Sequence, residues 1–209
     1  YLGNHDVSAD VDVVLTTREL ARMIKRQRID FLSLSDDMKY DSMMGQSTGA
    51  AVIFGATGGV MEAAVRSAYY LVTGEQPPAS LWQLTPVRGL SGIKEAALEI
   101  PGAGEVRVAV ASGLSNARKL MDVVQAGNSN WHFIEIMACP GGCIAGGGQP
   151  RAAVPPSDQV RTARSNALYT ADERSTIRNS HDNPEIAQIY RDFLEKPLGE
   201  KSHHLLHTE

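Results

Sequence analysis

The chain has 209 residues, 43% of them hydrophobic, and a formal net charge of −4. That length allows one domain with a sizeable core or one lobe of a larger domain, and the interspersed charges leave no footprint for nucleic acid or an anionic membrane. No apolar run approaches the roughly 20 residues needed to span a bilayer, no signal peptide is visible, and two cysteines are too few for a disulfide scaffold, so a reducing, cytoplasmic setting is expected.

In chain order, residues 1–10 are polar and Val11 to Leu15 reads as a short strand. Thr16 and Glu19 form a capping box, with Leu20, Met23 and Ile24 at helical spacing behind it, which predicts a helix to about Arg28. Ile29 to Leu34 is an apolar run, and Ser35 to Gly45 is a polar loop spotted with methionine. Thr48 to Phe54 is small and β-branched and reads as a buried strand. Gly55-Ala56-Thr57-Gly58-Gly59 follows, then a helix from about Val60 to Thr73 with Gly74 as its stop. Strand, glycine turn and helix N-terminus together form a shape that often holds an anion. Leu81 to Val87 reads as a further strand, and Ile93 to Ile100 with Glu105 to Ala111 predicts a hairpin. Ser115 starts a helix ended by Gly127, and His132 to Ile136 is the last strand. Pro155-Pro156 marks a break, after which the chain is helical and polar. Asn183 caps a helix at Pro184, and Lys201 to His207 is a short final helix or turn. The pattern predicts an α/β lobe over 1–155 and a helical tail over 156–209.

The loop from Met137 to Pro150 holds both cysteines, Cys139 and Cys143, with five of the nineteen glycines. Glycine lets the backbone fold tightly, and successive N–H groups unshielded by side chains suit an anion. Two thiols in such a loop point to soft metal ions or their sulfides. A zinc site or a 4Fe–4S cluster needs four ligands, so this segment is two short, even with the distant His132 considered. The remaining ligands would come from an upstream portion, a partner chain or a second copy. The Gly55–Gly59 turn lacks the Lys-Ser/Thr of a P-loop and the spacing of a dinucleotide fingerprint. Taken alone, Met137 and Phe54 read as core residues, His132 as an edge histidine, and His203, His204 and His207 as a solvated helix face.

Met137-Ala138-Cys139-Pro140-Gly141-Gly142-Cys143, continued by Gly146-Gly147-Gly148-Gln149-Pro150, resembles the third cysteine motif of the di-iron (iron-only) hydrogenases. Phe54-Gly55-Ala56-Thr57-Gly58-Gly59-Val60-Met61-Glu62 resembles the same family, as do Leu15 to Ala21, Arg88-Gly89-Leu90 and His132 to Glu135. The tail, from Ile177-Arg178 through Asn183-Pro184 to Lys196-Pro197-Leu198, resembles its small-subunit region. The resemblance implies one lobe of a two-lobed catalytic domain, with a mostly parallel sheet flanked by helices, a hairpin and a helical tail. It implies a 4Fe–4S cubane linked to a di-iron subcluster with carbon monoxide, cyanide and dithiolate ligands, the H-cluster. Cys139 would ligate the cubane and Cys143 would bridge cubane and di-iron unit. Met137, Phe54 and Gly55 would line the pocket, and Gly142 would shape the loop. The implied chemistry is reversible H2 oxidation and proton reduction, with a ferredoxin or NAD(P)-linked electron-transfer subunit and maturation proteins as partners.

The family's two further cysteine motifs, its cyanide-binding lysine and its proton-relay cysteine do not occur in this sequence. The chain therefore resembles a C-terminal part or a split subunit, not expected to assemble a stable cluster without a missing N-terminal part or partner chain. The alternatives are a hydrogen-sensing relative, an iron–sulfur assembly relative that keeps the cubane without hydrogen turnover, and a non-catalytic interaction module.

Overall fold

A computed structural model describes residues 11–35, 38–151 and 157–207. The polar start at 1–10 and the Pro155-Pro156 break lie outside the described residues. The elements are α1 (Thr17–Arg26), α2 (Gly49–Ile53), α3 (Gly59–Thr73), α4 (Ala79–Trp82), β1 (Ile93–Ile100), β2 (Gly104–Ser112), α5 (Leu114–Gln125), β3 (Phe133–Met137), α6 (Asp158–Arg174), α7 (Pro184–Ile189) and α8 (Glu200–Leu206), joined by short 3₁₀ turns. The chain is α/β and divides into two compact units.

Among the described residues, the larger unit holds 47–147, 151 and 157–183. Its sheet is small and mixed, in the order β1-β2-β3. β1 and β2 form the predicted antiparallel hairpin, with Ile93 opposite Ala111. β2 and β3 are parallel, with Ser112 opposite Met137, and α5 is the crossover between them. β2 is central and is buried continuously from Val108 to Ser112, because both faces are covered. On one face Val108 and Val110 pack with Met61, Val65 and Tyr69 of α3 and with Leu81, Leu84 and Val87. On the other, Ala109 and Ala111 pack against Leu120 of α5, Trp131 and Ile134.

Three predicted strands take other forms. Thr48 to Phe54 contains helix α2: the Thr48 hydroxyl accepts from Ala51 N, and the Gly49 and Ala50 amides donate 2.8 Å bonds to Ile177 and Arg178 carbonyls. A short apolar run has no periodicity of its own, and these partners decide it. Leu81 to Val87 is the end of α4 followed by a 3₁₀ turn at Thr85–Val87. Leu81, Leu84 and Val87 are all buried at intervals of three, the 3₁₀ repeat. Val11 to Leu15 is irregular, with Val14 82% exposed and no partner strand among the described residues.

A buried charge cluster ties α3 to α6. Glu62, Arg66 and Asp172 are fully buried. Arg66 bonds Glu62 at 2.5 Å and Asp172 at 2.8 and 3.0 Å. Arg88 takes both oxygens of Glu62 and stacks 3.8 Å over the Tyr169 ring, while Arg178 bonds Asp172 at 2.6 Å. Burial pushes the Asp172 carboxyl up, but hydrogen bonds from Arg66 and Arg178 outweigh it and hold the group below its ordinary 3.8.

The smaller unit holds 11–46 among its described residues, with 148–150 and 184–207. The predicted capping box is present: the Glu19 amide donates to Thr16 Oγ1, and the Thr16 amide donates to Glu19 Oε2 at 2.8 Å. The Glu185 carboxylate accepts from the Met43 and Gln46 amides, both at 3.0 Å. A π-helical turn over Tyr190–Leu194 continues α7.

Asp172→Ala strips the fully buried Arg66 and the partly exposed Arg178 of their shared carboxylate and is expected to cost about 3–5 kcal/mol, read from denaturant midpoints. Since the folded carboxyl lies below its unfolded value, its contribution is complete above the ordinary 3.8 and lost as pH falls through the folded value. The stability gap between wild type and Asp172→Asn is therefore expected to narrow below about pH 4.

Candidate functional site

The parallel β2–β3 pair brings both strand C-termini to one edge, where open α/β sheets bind ligands. β3 ends at Met137, and the cysteine loop begins there. The Gly113 amide donates to Met137 O at 2.8 Å and fixes that exit. Gly142 N donates to Cys139 O at 2.9 Å, and a 3₁₀ turn runs over Cys143–Ala145.

The loop is bonded to the glycine turn backbone to backbone. Thr57 N donates to Gly141 O, and Ile144 N donates to Gly55 O, both at 3.1 Å. Gly142 lies between them at φ 96°. A Cβ there would meet Gly55 O and Thr57 N at 2.8 Å and Met137 Sδ at 3.0 Å, so both the dihedral and the space require glycine. From α6, Arg164 Nη1 donates to Ile144 O at 2.7 Å and braces the loop from behind.

Met137, Cys139, Gly142, Cys143 and Gly55 thus stand in one place. Phe54 precedes Gly55 at the end of α2 and is 43% exposed. Both cysteines are free thiols, Cys139 half-buried and Cys143 exposed. A two-thiol set on a backbone without room for side chains suits an iron–sulfur group in donor chemistry and shape, and supplies half of four ligands. Among the described residues no group of three or more His, Cys, Asp or Glu converges. His132 is spent in the sheet, where Nδ1 accepts from Arg107 N at 3.0 Å. His203 and His207 stack on each other at 4.4 Å.

The predicted anion place at the N-terminus of α3 is filled by the protein's own Glu135. Its carboxylate accepts from Gly58 N at 2.6 Å and Met61 N at 2.7 Å. Lys94, also buried, donates from Nζ to Thr57 O and Gly89 O at 3.0 Å each. Burial pushes its ammonium down to about 8, against the opposing pull of Glu135. Neither residue stood out in the sequence. The available signal was register: Lys94 shares the apolar face of β1 with Ala96, Leu98 and Ile100, and Glu135 is the buried position of β3. A cavity of about 370 Å³ lined by Arg88, Leu90, Asn166 and Tyr169 lies along α6. The Tyr169 hydroxyl, pushed up to about 12 by burial, has no hydrogen-bond partner among the described residues.

Two family models match: iron only hydrogenase large subunit, C-terminal domain, over residues 3–147, and iron hydrogenase small subunit over 158–209. An NADP-reducing hydrogenase subunit of Solidesulfovibrio fructosivorans is 49% identical over 95% of this chain and 33% of its own length. The periplasmic Fe hydrogenase large subunit of Nitratidesulfovibrio vulgaris is 57% identical over 68% of this chain and 32% of its own. A solved apo FeFe-hydrogenase of Chlamydomonas reinhardtii superposes with a TM-score of 0.69 at 41% identity, covering 91% of this chain and 53% of that one. At a lower 30% identity, the chain also matches a cytosolic Fe-S cluster assembly factor of Xenopus tropicalis over 41% of that protein. The chain spans about a third of the length of the two hydrogenase subunits. With the cysteine loop locked to the glycine turn and both family models covering it nearly end to end, the chain belongs to the iron-only hydrogenase family.

Proposed function

We propose that the protein carrying this chain is a hydrogenase, interconverting H2 with protons and electrons at an iron–sulfur-linked di-iron group. The observation that carries this is the Gly142 wedge, which seats the Cys139–Cys143 loop against Gly55, Thr57 and Met137. Such a seat holds two thiolates in a fixed relation to a glycine wall that can lie close to a bulky group. When bound, the cubane and di-iron group supply the redox chemistry and the splitting of H2. Cys139 and Cys143 would hold it, with Cys143 as the shared ligand. Met137 offers a polarisable thioether beside the loop, and Phe54 and Gly55 form the facing wall. Arg164 and the Thr57–Gly141 bond keep the loop from swinging when thiolates replace thiols.

In this reading 1–155 corresponds to the large-subunit part and 156–209 to a small-subunit-like tail. Two further cysteine ligands come from another segment or chain, and a ferredoxin or NAD(P)-linked subunit takes the electrons. Two free thiols accord with a cytoplasmic setting, while the relative in Nitratidesulfovibrio vulgaris is periplasmic. No helix among the described residues is long and apolar enough to cross a membrane. The assembly-factor relative keeps an iron–sulfur reading without hydrogen turnover in play.

Reconstitution with iron and sulfide of the protein supplying all four ligands is expected to give infrared bands of iron-bound carbon monoxide and cyanide after maturation, with H2 turnover. A cluster without those bands favours the assembly role, bands with almost no turnover favour sensing, and no iron uptake sinks the reading. Cys143→Ser is expected to abolish the bands while leaving the metal-free protein's unfolding free energy, read by denaturant titration, within about 1 kcal/mol, since the side chain is exposed. Gly142→Ala is expected to destabilise by about 2–4 kcal/mol, from a positive φ plus a backbone clash, measured by denaturation without metal.

A further inference from the structure

Thr57 O and Gly58 N belong to one peptide group. Lys94 Nζ holds its oxygen at 3.0 Å, and Glu135 Oε1 holds its N–H at 2.6 Å. Both side chains are buried, and among the described residues neither forms an ion pair within 4 Å. Each charge is satisfied instead by the backbone, positive at the carbonyl and negative at the amide, aligned with the dipole of that peptide. The same two groups reach outward to Gly89 O and Met61 N, so the clamp spans the Arg88–Leu90 loop and the first turn of α3. On the other side, Thr57 N meets Gly141 O of the cysteine loop. Gly58 sits at φ 96°, and a peptide plane next to a glycine flips at little steric cost, so something other than sterics must choose its orientation.

We propose that Lys94 and Glu135 are positioning residues that clamp the Thr57–Gly58 peptide plane and thereby set the distance between the Gly55–Thr57 wall and the Cys139–Gly142 loop. Two buried charges are a costly way to hold a turn, and apolar residues of the same volume are often as stable. What they add is orientation. In the flipped state the carbonyl would face a carboxylate and the N–H an ammonium, so the pair penalises the wrong plane directly. The consequence for the cluster rests on the hydrogenase reading; the clamp itself does not.

Hydrogen exchange separates the two. In the metal-free protein, Lys94→Met and Glu135→Gln are each expected to raise exchange at least tenfold in peptides covering 54–61 and 139–145. Exchange in β2 is expected to stay unchanged. The double variant is expected to add little to either single one, because one plane is released once. If Lys94→Met does not fold, the isosteric Glu135→Gln carries the same comparison. Exchange that rises equally in β2, or not at all in the cysteine loop, overturns the clamp. In the reconstituted protein the same variants are expected to shift the infrared bands of the diatomic ligands more than they change iron content. Unshifted bands at full iron content overturn the link to the cluster wall. Failure of the wild-type protein to take up iron defeats the hydrogenase reading and leaves the exchange result standing.

Discussion

The rest of the site depends on the backbone interlock between two glycine-rich segments that are about eighty residues apart in sequence. Thr57 N to Gly141 O and Ile144 N to Gly55 O are ordinary hydrogen bonds of 3.1 Å. Their effect comes from what they exclude. With Gly142 between them, no side chain fits in the seam, so loop and turn approach at backbone distance. Each segment alone would be a flexible glycine loop with a large conformational entropy to lose. Together they satisfy each other's amides and carbonyls. The two thiols therefore project from a frame whose position is set by groups other than the thiols themselves.

That frame is set into a unit in which charge is used as a fastener. The Glu62–Arg66–Asp172 cluster, with Arg88 and Arg178 at its edges, joins α3 to α6. α3 begins at the glycine turn, and α6 carries Arg164, which reaches Ile144. The cluster thus fixes from behind the two helices that hold turn and loop. A hydrophobic contact between α3 and α6 could contribute as much stability, but it would allow sliding. Bidentate guanidinium–carboxylate pairs specify both separation and orientation. Within the larger unit, α6 packs against α2 and against the 3₁₀ turn of the cysteine loop.

Much of this was legible in the sequence. The capping box at Thr16 and Glu19, the stop at Gly74, the hairpin of β1 and β2 and the strand into the cysteine loop all rest on local rules, and local rules decided them. The cysteine loop stood out by composition, and its glycine partner stood out by resemblance. What was not legible depended on distant partners. Thr48 to Phe54 is helical because Ile177 and Arg178 supply carbonyls from across the unit. Leu81 to Val87 carried its answer in a spacing of three that a strand reading passes over. Register puts Lys94 on the apolar face of β1, but only the fold shows that its partner and that of Glu135 are the carbonyl and the amide of one peptide. The anion pocket at α3 was correctly placed, but its occupant is internal.

An internal anion at that helix end changes how the site should be understood. A free N-terminus beside a cluster of negative charge would attract it and compete with the thiolates for its position. Glu135 already satisfies the Gly58 and Met61 amides, so that attraction is spent inside the protein. The wall that faces the cysteine loop then offers shape and peptide dipoles of fixed direction, and little net charge. On the proposed hydrogenase reading, a reactive centre seated there would be held by the two thiolates and shielded by glycine backbone. If the clamp holds as proposed, its electronic environment would be tuned by how the Thr57–Gly58 plane stands, between one buried residue on β1 and one on β3.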